Sequence, residues 1–149
     1  MENNYVLMSI RTQYANKIFN GTKLWEYRKN LPKNILSKKT DIVVYSSKEE
    51  RAIVGKFTVG TVLKCSLDEL IKKTGCEGDI EAREWFENYY KGKSLCCAIE
   101  VTNPTRFLSK CTLEEIRSTV PKFMPPQNFI YIQKESPLEE IIRSLEMNP

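Results

Sequence analysis

A cluster of charged residues surrounds a single glycine early in the chain, in the stretch YANKIFNGTKLWEYRKN at residues 14–30. Lys17, Lys23 and Arg28 supply positive charge, and Glu26 is the carboxylate among them. Lysine and arginine bind phosphate, and an arginine held by a carboxylate presents its guanidinium fork to a phosphate or a base edge. These residue types indicate either a site for a polyanion or a solvated charged corner of the surface.

A short helix followed by a strand is predicted to carry this cluster. Thr12 would cap the start of the helix, Gly21 would end it, and the helix would have one apolar face. That face is formed by Tyr14, Ala15, Ile18 and Phe19. Lys17 lies one helical turn before Gly21, so its side chain can lean over the junction between helix and strand.

The strand at residues 24–28 should separate the charged side chains onto two faces. Alternation places Glu26 and Arg28 on one face, and Lys23 with Trp25 on the other. Paired on a solvated edge, Glu26 and Arg28 would contribute only about 0–1 kcal/mol. Paired in a cleft, they would fix the guanidinium for a ligand.

The amino-acid composition limits the kinds of catalytic and metal site that the chain could form. The chain has 149 residues and no histidine, which removes the commonest general base and the commonest transition-metal ligand. Five cysteines, an odd number with no CxxC pair, are expected to be reduced thiols in the core. We therefore expect no metal site and no cofactor, and the probability of an enzyme is lowered without being removed.

The charge balance permits a nucleic-acid partner without requiring one. The formal net charge is +4, and clustered lysine and arginine release counterions on meeting phosphate. The sequence has no apolar run long enough to span a membrane, and residues 1–10 lack the pattern of a signal peptide. A cytoplasmic protein without membrane contact is the expectation.

The remaining pattern predicts about six strands with short helices between and after them. Two glycines, Gly55 and Gly60, lie inside the longest strand and indicate bulges that curl a sheet. The fold class is therefore α+β, with a curled β-barrel in one domain over residues 1–149, and a C-terminal helix at about 137–146 docked on it. Further strands are expected at 41–45, 52–63, 94–102, 105–108 and 128–132, and helices at 67–74 and 79–90 and after the capping box at Thr112.

An aromatic stripe is the strongest feature of the predicted helix at 79–90. Its members recur at the helical spacing that amphipathic packing requires, so we interpret the stripe as core rather than as a platform for stacking bases. The stripe consists of Ala82, Trp85, Phe86, Tyr89 and Tyr90.

The order of residues around Gly21 resembles the signature of the ASCH domain, a PUA-like β-barrel family. The GxKxxExR core is complete at Gly21, Lys23, Glu26 and Arg28, and the strands VLMSI, DIVVYSS and AIVGKFTVG also fit. Most of the chain is covered by this resemblance. The segments SLCCAIEVTNPTRF and PPQNFIYI are similar to a branch of predicted transcriptional regulators.

The resemblance implies a cleft beside the barrel that receives RNA or a nucleotide. Lys17, Lys23, Glu26 and Arg28 are carried over as cleft residues. Gly21 lets a ligand approach the backbone closely. Trp25 is a further candidate for ligand binding, although alternation could equally send Trp25 and Tyr27 into the core. The first hypothesis is therefore a module that binds RNA or a modified nucleotide.

A second branch of the family hydrolyses acetylated cytidine nucleosides without a metal, and gives the alternative hypothesis. It uses the lysine after the glycine, which Lys23 matches, with Glu26 in the place of its nearby threonine. If the chain is an enzyme, Lys23 and Glu26 are the catalytic candidates. The resemblance also leaves metal-independent RNA cleavage open as a minor option. A third hypothesis is a regulatory protein whose partner docks on the C-terminal helix. The oligomeric state is left open.

Overall fold

The computed structural model describes residues 4–33, 35 and 39–147, which form one six-stranded sheet with five short helices. The strands lie in the order β2-β5-β4-β3-β1-β6. They are β1 (Asn4–Arg11), β2 (Trp25–Arg28), β3 (Thr40–Ser47), β4 (Ala52–Cys65), β5 (Cys96–Thr112) and β6 (Phe129–Tyr131). The helices are α1 (Thr12–Phe19), α2 (Leu67–Lys73), α3 (Ile80–Tyr89), α4 (Leu113–Thr119) and α5 (Pro137–Met147).

The central strands β1 and β3 are parallel and are buried on both faces. Successive side chains of a strand point to opposite faces, so Val6 and Met8 pack into one hydrophobic cluster while Tyr5 and Leu7 pack into another. A strand covered on both sides needs a continuous apolar sequence, and YVLM in β1 meets that requirement.

Different helices cover the two faces. Helix α1 places Ala15 and Ile18 in the first cluster, whereas α4 and α5 place Ile116 and Ile142 in the second. A third cluster lies where α2 and α3 meet the ends of β4 and β5, with Phe86 buried at its centre. The apolar side chains of α5 pack on this second face of the sheet.

Strand β4 bends at its two glycines. The pairing of β4 with β5 shifts register on either side of Gly55 and again between Val59 and Val62, across Gly60. A Cβ at Gly55 would lie 2.5 Å from the Thr105 carbonyl oxygen, so no larger residue fits there. These bulges curl the sheet into a half-barrel, which confirms the predicted α+β fold with a curled sheet of about six strands.

Two local predictions were wrong. The strands expected at 94–102 and 105–108 form the single strand β5, because the register shifts against β4 absorb the irregular segment between them. Thr12 is the first residue of α1 rather than its cap. Its hydroxyl instead donates to the Ser47 carbonyl oxygen at 2.9 Å, which ties the start of α1 to the end of β3.

Within the part of the chain that the structure describes, every helix is too short or too polar to cross a membrane.

Candidate functional site

A cleft of about 1000 Å³ opens where β1 and β3 end. This volume is at the upper end of the roughly 300–1,000 Å³ typical of small-molecule sites. Its walls come from the α1–β2 junction, strand β2, helix α3 and residues 125–127. The carboxyl ends of two parallel strands meet here, which is where open sheets with helices on their faces commonly bind ligands.

Gly21 forms the turn that brings the chain from α1 into the cleft. Its φ is +85°, a left-handed conformation that glycine adopts without strain. Directly afterwards, the backbone N–H groups of Thr22 and Lys23 both donate to the Lys17 carbonyl oxygen at 3.0 Å. Gly21 itself is exposed and is not among the cleft-lining residues, so it shapes the site from outside.

Lys23 lies against Glu26 rather than on the opposite face. The expected alternation does not apply to Lys23, because β2 begins only at Trp25. The Lys23 Nζ atom lies 3.3 Å from Glu26 Oε1 and donates a short hydrogen bond to the Trp25 carbonyl oxygen. The same ammonium group lies 4.7 Å from the ring centroid of Tyr27. Glu26 is itself buried, so the ion pair is shielded from solvent.

Arg28 is held at all three of its nitrogen atoms. Its Nε lies 3.0 Å from Glu26 Oε2 in an ion pair whose N–H direction is not aligned for a hydrogen bond. The two terminal nitrogens donate to Asn128 Oδ1 at 3.0 Å and to the Ser9 carbonyl oxygen at 2.8 Å. Arg28 therefore joins β2 to β1 and to the segment after residue 125, and positions the walls of the cleft.

Burial lowers the pKa of Lys23 below its ordinary value of 10.5. Glu26 opposes this shift by stabilising the ammonium form, whereas the positive charges of Arg28 and Lys17 add to it. Loss of hydration is the larger effect, since an ammonium ion in a low-dielectric site is costly even beside one carboxylate. Lys23 is thus a lysine that releases its proton more readily than a surface lysine.

Positive side chains outnumber negative ones around the cleft. Of the described residues that line it, five are cationic and Glu26 is the carboxylate. The five are Arg11, Lys17, Lys23, Arg28 and Lys48. Arg11, Lys17 and Lys48 are exposed at the rim, and Lys23 and Arg28 lie deeper. Such a distribution attracts an anionic ligand and leaves the rim charges available to it.

Helix α3 contributes an aromatic wall that the sequence analysis placed in the core. Phe86 and Tyr90 are buried as expected, but Trp85 is 42% exposed and lines the cleft together with Tyr89. The rings of Trp85 and Tyr89 stack with centroids 4.9 Å apart. Helical spacing does not separate a residue facing the core from one at the edge of the same face, so only the packing of α3 reveals this wall.

The remaining predicted cleft residues are also placed by the structure. Trp25 is half-buried, packs against the third hydrophobic cluster and lines the cleft. Lys17 stands exposed at the rim. Sequence reasoning did not identify Ser9 or residues 125–127 as cleft residues, because they lie far from Gly21 in the chain.

The described residues contain no group of three or more His, Cys, Asp or Glu side chains that could hold a metal ion. All five cysteines are free, and Cys96 and Cys97 are buried. Burial raises the pKa of both thiols, which keeps them protonated and unreactive.

Comparisons with known proteins agree with this architecture. A curated relative from Zymomonas mobilis, named ASCH domain-containing ribonuclease, is 24% identical over 131 residues, covering 87% of this chain and 84% of the relative. A crystal structure of ASCH from Zymomonas mobilis matches with a TM-score of 0.78 at 19% identity, over 93% of this chain and 94% of that chain.

A more distant match shows the same fold. The N-terminal domain of Staphylothermus marinus McrB matches with a TM-score of 0.58 at 11% identity, over 94% of this chain and 93% of that chain. The family model of the ASCH domain matches residues 8–110, a segment that runs from β1 through most of β5. This chain therefore belongs to the ASCH domain family.

Proposed function

We propose that this protein binds RNA in the cleft and seats one nucleotide, ordinary or modified, beside Lys23 and Glu26. The observation that carries the proposal is the combination of five cationic side chains and one carboxylate with an aromatic wall in a single cleft. Cationic side chains bind the phosphate groups of RNA, and aromatic side chains stack on its bases.

The rim cations are suited to the phosphate backbone. Arg11, Lys17 and Lys48 are exposed, so they can contact successive phosphates without disturbing the core. Arg28 differs, because its guanidinium is paired with Glu26 and both of its terminal nitrogens already donate within the protein, to Asn128 Oδ1 and to the Ser9 carbonyl oxygen. We assign Arg28 to shaping the site rather than to direct phosphate contact.

Lys23 is suited to the nucleotide itself. An ammonium group has three N–H donors, and two are directed to the Trp25 carbonyl oxygen and to Glu26. The third is available for a base carbonyl or a sugar hydroxyl. The size of the cleft leaves room for a base that carries an added group, so a modified nucleotide fits the same site.

A relative supports RNA as the partner. The Zymomonas mobilis protein is named a ribonuclease, and it spans most of this chain. The likeness to a branch of predicted transcriptional regulators suggests DNA as a competing ligand. Competition of a DNA strand of the same sequence against the bound RNA distinguishes the two.

A salt series tests the proposal. The double variant Arg11→Ala/Lys17→Ala should bind a single-stranded RNA more weakly and with a flatter salt dependence, because each lost phosphate contact removes about 0.7 from the slope of log K against log salt. The control is Lys64→Ala/Lys72→Ala, which removes two exposed lysines that do not line the cleft. Equal salt slopes for the two double variants would refute the cleft as the RNA site.

Hydrolysis at the same site is the second candidate function. The observation in its favour is the lowered pKa of Lys23, since a neutral lysine can act as a base or as a nucleophile. Incubation with an N-acetylated cytidine and with RNA, followed by chromatography, separates amide hydrolysis from strand cleavage. Turnover that rises with pH and is lost in Lys23→Met would establish catalysis, whereas RNA retention without any product would leave binding alone.

A further inference from the structure

We infer that Trp85, backed by Tyr89, is a stacking site for an unpaired nucleobase, and that the cleft therefore selects single-stranded over duplex RNA. This inference rests on the proposed RNA function. Trp85 is a large apolar residue, yet 42% of its surface is exposed, and it lines the cleft.

The contacts of Trp85 hold its ring in a fixed orientation. Tyr89 stacks against it with an interplanar angle of 16°, while Tyr27 and Phe86 make T-shaped contacts at centroid distances of 6.1 and 5.4 Å. Tyr89 is anchored in turn, because its hydroxyl donates to the Tyr27 carbonyl oxygen at 3.1 Å. A base that stacks on the exposed part of Trp85 would therefore meet a rigid surface, and little conformational entropy would be lost.

The position of Trp85 links the stacking surface to the charged centre. Tyr27 contacts Trp85 on one side and lies 4.7 Å from Lys23 Nζ on the other. Leu24, which is 61% exposed, lines the same cleft. Apolar surface next to a cationic rim fits a ligand with a flat apolar face and a negative charge, which describes a nucleotide. A paired base has its faces covered by its neighbours in the duplex, so only an unpaired base can use this surface.

The test compares Trp85→Leu with Trp85→Phe on two RNA probes. Leucine keeps apolar bulk without a ring, whereas phenylalanine keeps a ring. One probe is a single-stranded oligouridine, and the other is the same phosphodiester chain with abasic sites. We expect Trp85→Leu to weaken oligouridine binding roughly five- to a hundredfold, the range for loss of one base–aromatic stack, and to leave abasic binding unchanged. Trp85→Phe should retain most of the affinity.

A control variant and competing duplex RNA test whether the effect belongs to Trp85 and to unpaired bases. Ile80→Ala changes an exposed apolar residue of the same helix outside the cleft lining, and it should bind both probes like the wild type. Duplex RNA should compete less well than the single strand.

The possible failures are distinguishable. Equal affinity of Trp85→Leu and wild type for oligouridine, or an equal loss on both probes, overturns the stacking site and leaves RNA binding in place. Preference for duplex over single strand also overturns it. Absence of RNA binding by the wild-type protein overturns the proposed function and this inference with it. Thermal unfolding of each variant identifies any loss of binding that reflects misfolding.

Discussion

Two lysines of this protein lie beside carboxylates in different surroundings, Lys23 in the cleft and Lys56 where α5 meets the sheet. Lys23 shares the single carboxylate Glu26 with Arg28. Lys56 contacts two carboxylates, with Nζ 3.3 Å from Asp41 Oδ2 and in short contact with Glu146 Oε2. At the cleft centre two cations thus share one carboxylate, whereas under α5 one lysine contacts two carboxylates.

The pKa values of the two lysines move in opposite directions. Burial lowers the pKa of Lys23 despite Glu26. Burial would also lower that of Lys56, but its hydrogen bond to Glu146 and the charge of Asp41 raise it overall. We interpret Lys56, which has more counter-charge, as a structural contact, and we propose that Lys23, which has less, is available to a ligand or a reaction.

The two lysines also differ in what surrounds their ion pairs. Around Lys56 the remaining polar groups are taken up within the protein, since Tyr5 donates to Glu146 Oε1 at 2.6 Å and Thr58 donates to Asp41 Oδ1 at 3.0 Å. Lys23 instead faces an open cleft. We therefore expect substitutions around Lys56 to change stability alone, and substitutions around Lys23 to change both stability and ligand binding.

The largest effect is expected from Glu26→Gln. It leaves two partly buried cations without their carboxylate. Removing one partner of a buried ion pair costs about 3–5 kcal/mol. Glu146→Gln should cost less, about 1 kcal/mol, because Asp41 still pairs with Lys56. Urea unfolding of both variants measures the difference. Equal losses would mean that the two clusters are equivalent.

The next effect concerns RNA binding by methionine variants of the two lysines. Lys23→Met should weaken RNA binding about tenfold, since one charge-assisted hydrogen bond contributes roughly 1.5 kcal/mol. Lys56→Met should bind RNA like the wild type while unfolding at lower urea concentration. Fluorescence anisotropy with a labelled strand measures both affinities. A loss of affinity in Lys56→Met would show that the cluster under α5 is not independent of the cleft.

A smaller effect is expected when the Tyr5 hydroxyl is removed. Tyr5→Phe deletes the hydrogen bond to Glu146 and should lower the free energy of unfolding by about 1 kcal/mol without changing RNA affinity. Thermal unfolding and anisotropy together check this expectation. Unchanged stability would imply that Lys56 alone satisfies Glu146.

The smallest effects should come from pH. Because the pKa of Lys23 is lower in the folded protein, the unfolded chain holds more protons between the two values, and the contribution of Lys23 to the free energy of unfolding rises with pH up to the ordinary value of 10.5. The pKa of Lys56 is raised, so its contribution is fully present below 10.5 and is lost as pH rises through the higher folded value.

These opposite trends can be measured by subtracting the free energy of unfolding of each lysine-to-methionine variant from that of the wild type, from neutral pH to above the ordinary lysine pKa. The wild-type advantage over Lys23→Met should grow, and that over Lys56→Met should stay level and then fall. Parallel curves would contradict the assignment of different roles.

Much of the fold follows from local sequence. The apolar run of β1, the glycines of β4 and the capping box at Thr112 each indicate their own element, because the forces that select them act within a few residues. The capping box is present, with the Glu115 N–H donating to Thr112 Oγ1 at 3.2 Å. Local sequence is not sufficient for residues 105–108, because their membership in β5 depends on pairing with strand β4.

By itself, the sequence determined where the charged centre lies: the turn at Gly21 and the short spacing from Lys23 to Arg28 bring those charges together. Only the tertiary structure decided what each charge does. Arg28 is held by Asn128, 100 residues away, and Trp85 reaches the cleft because of how α3 packs. The direction of the Lys23 pKa likewise depends on burial. Spacing along a chain fixes which neighbours are local, whereas burial and distant partners exist only after the chain has folded.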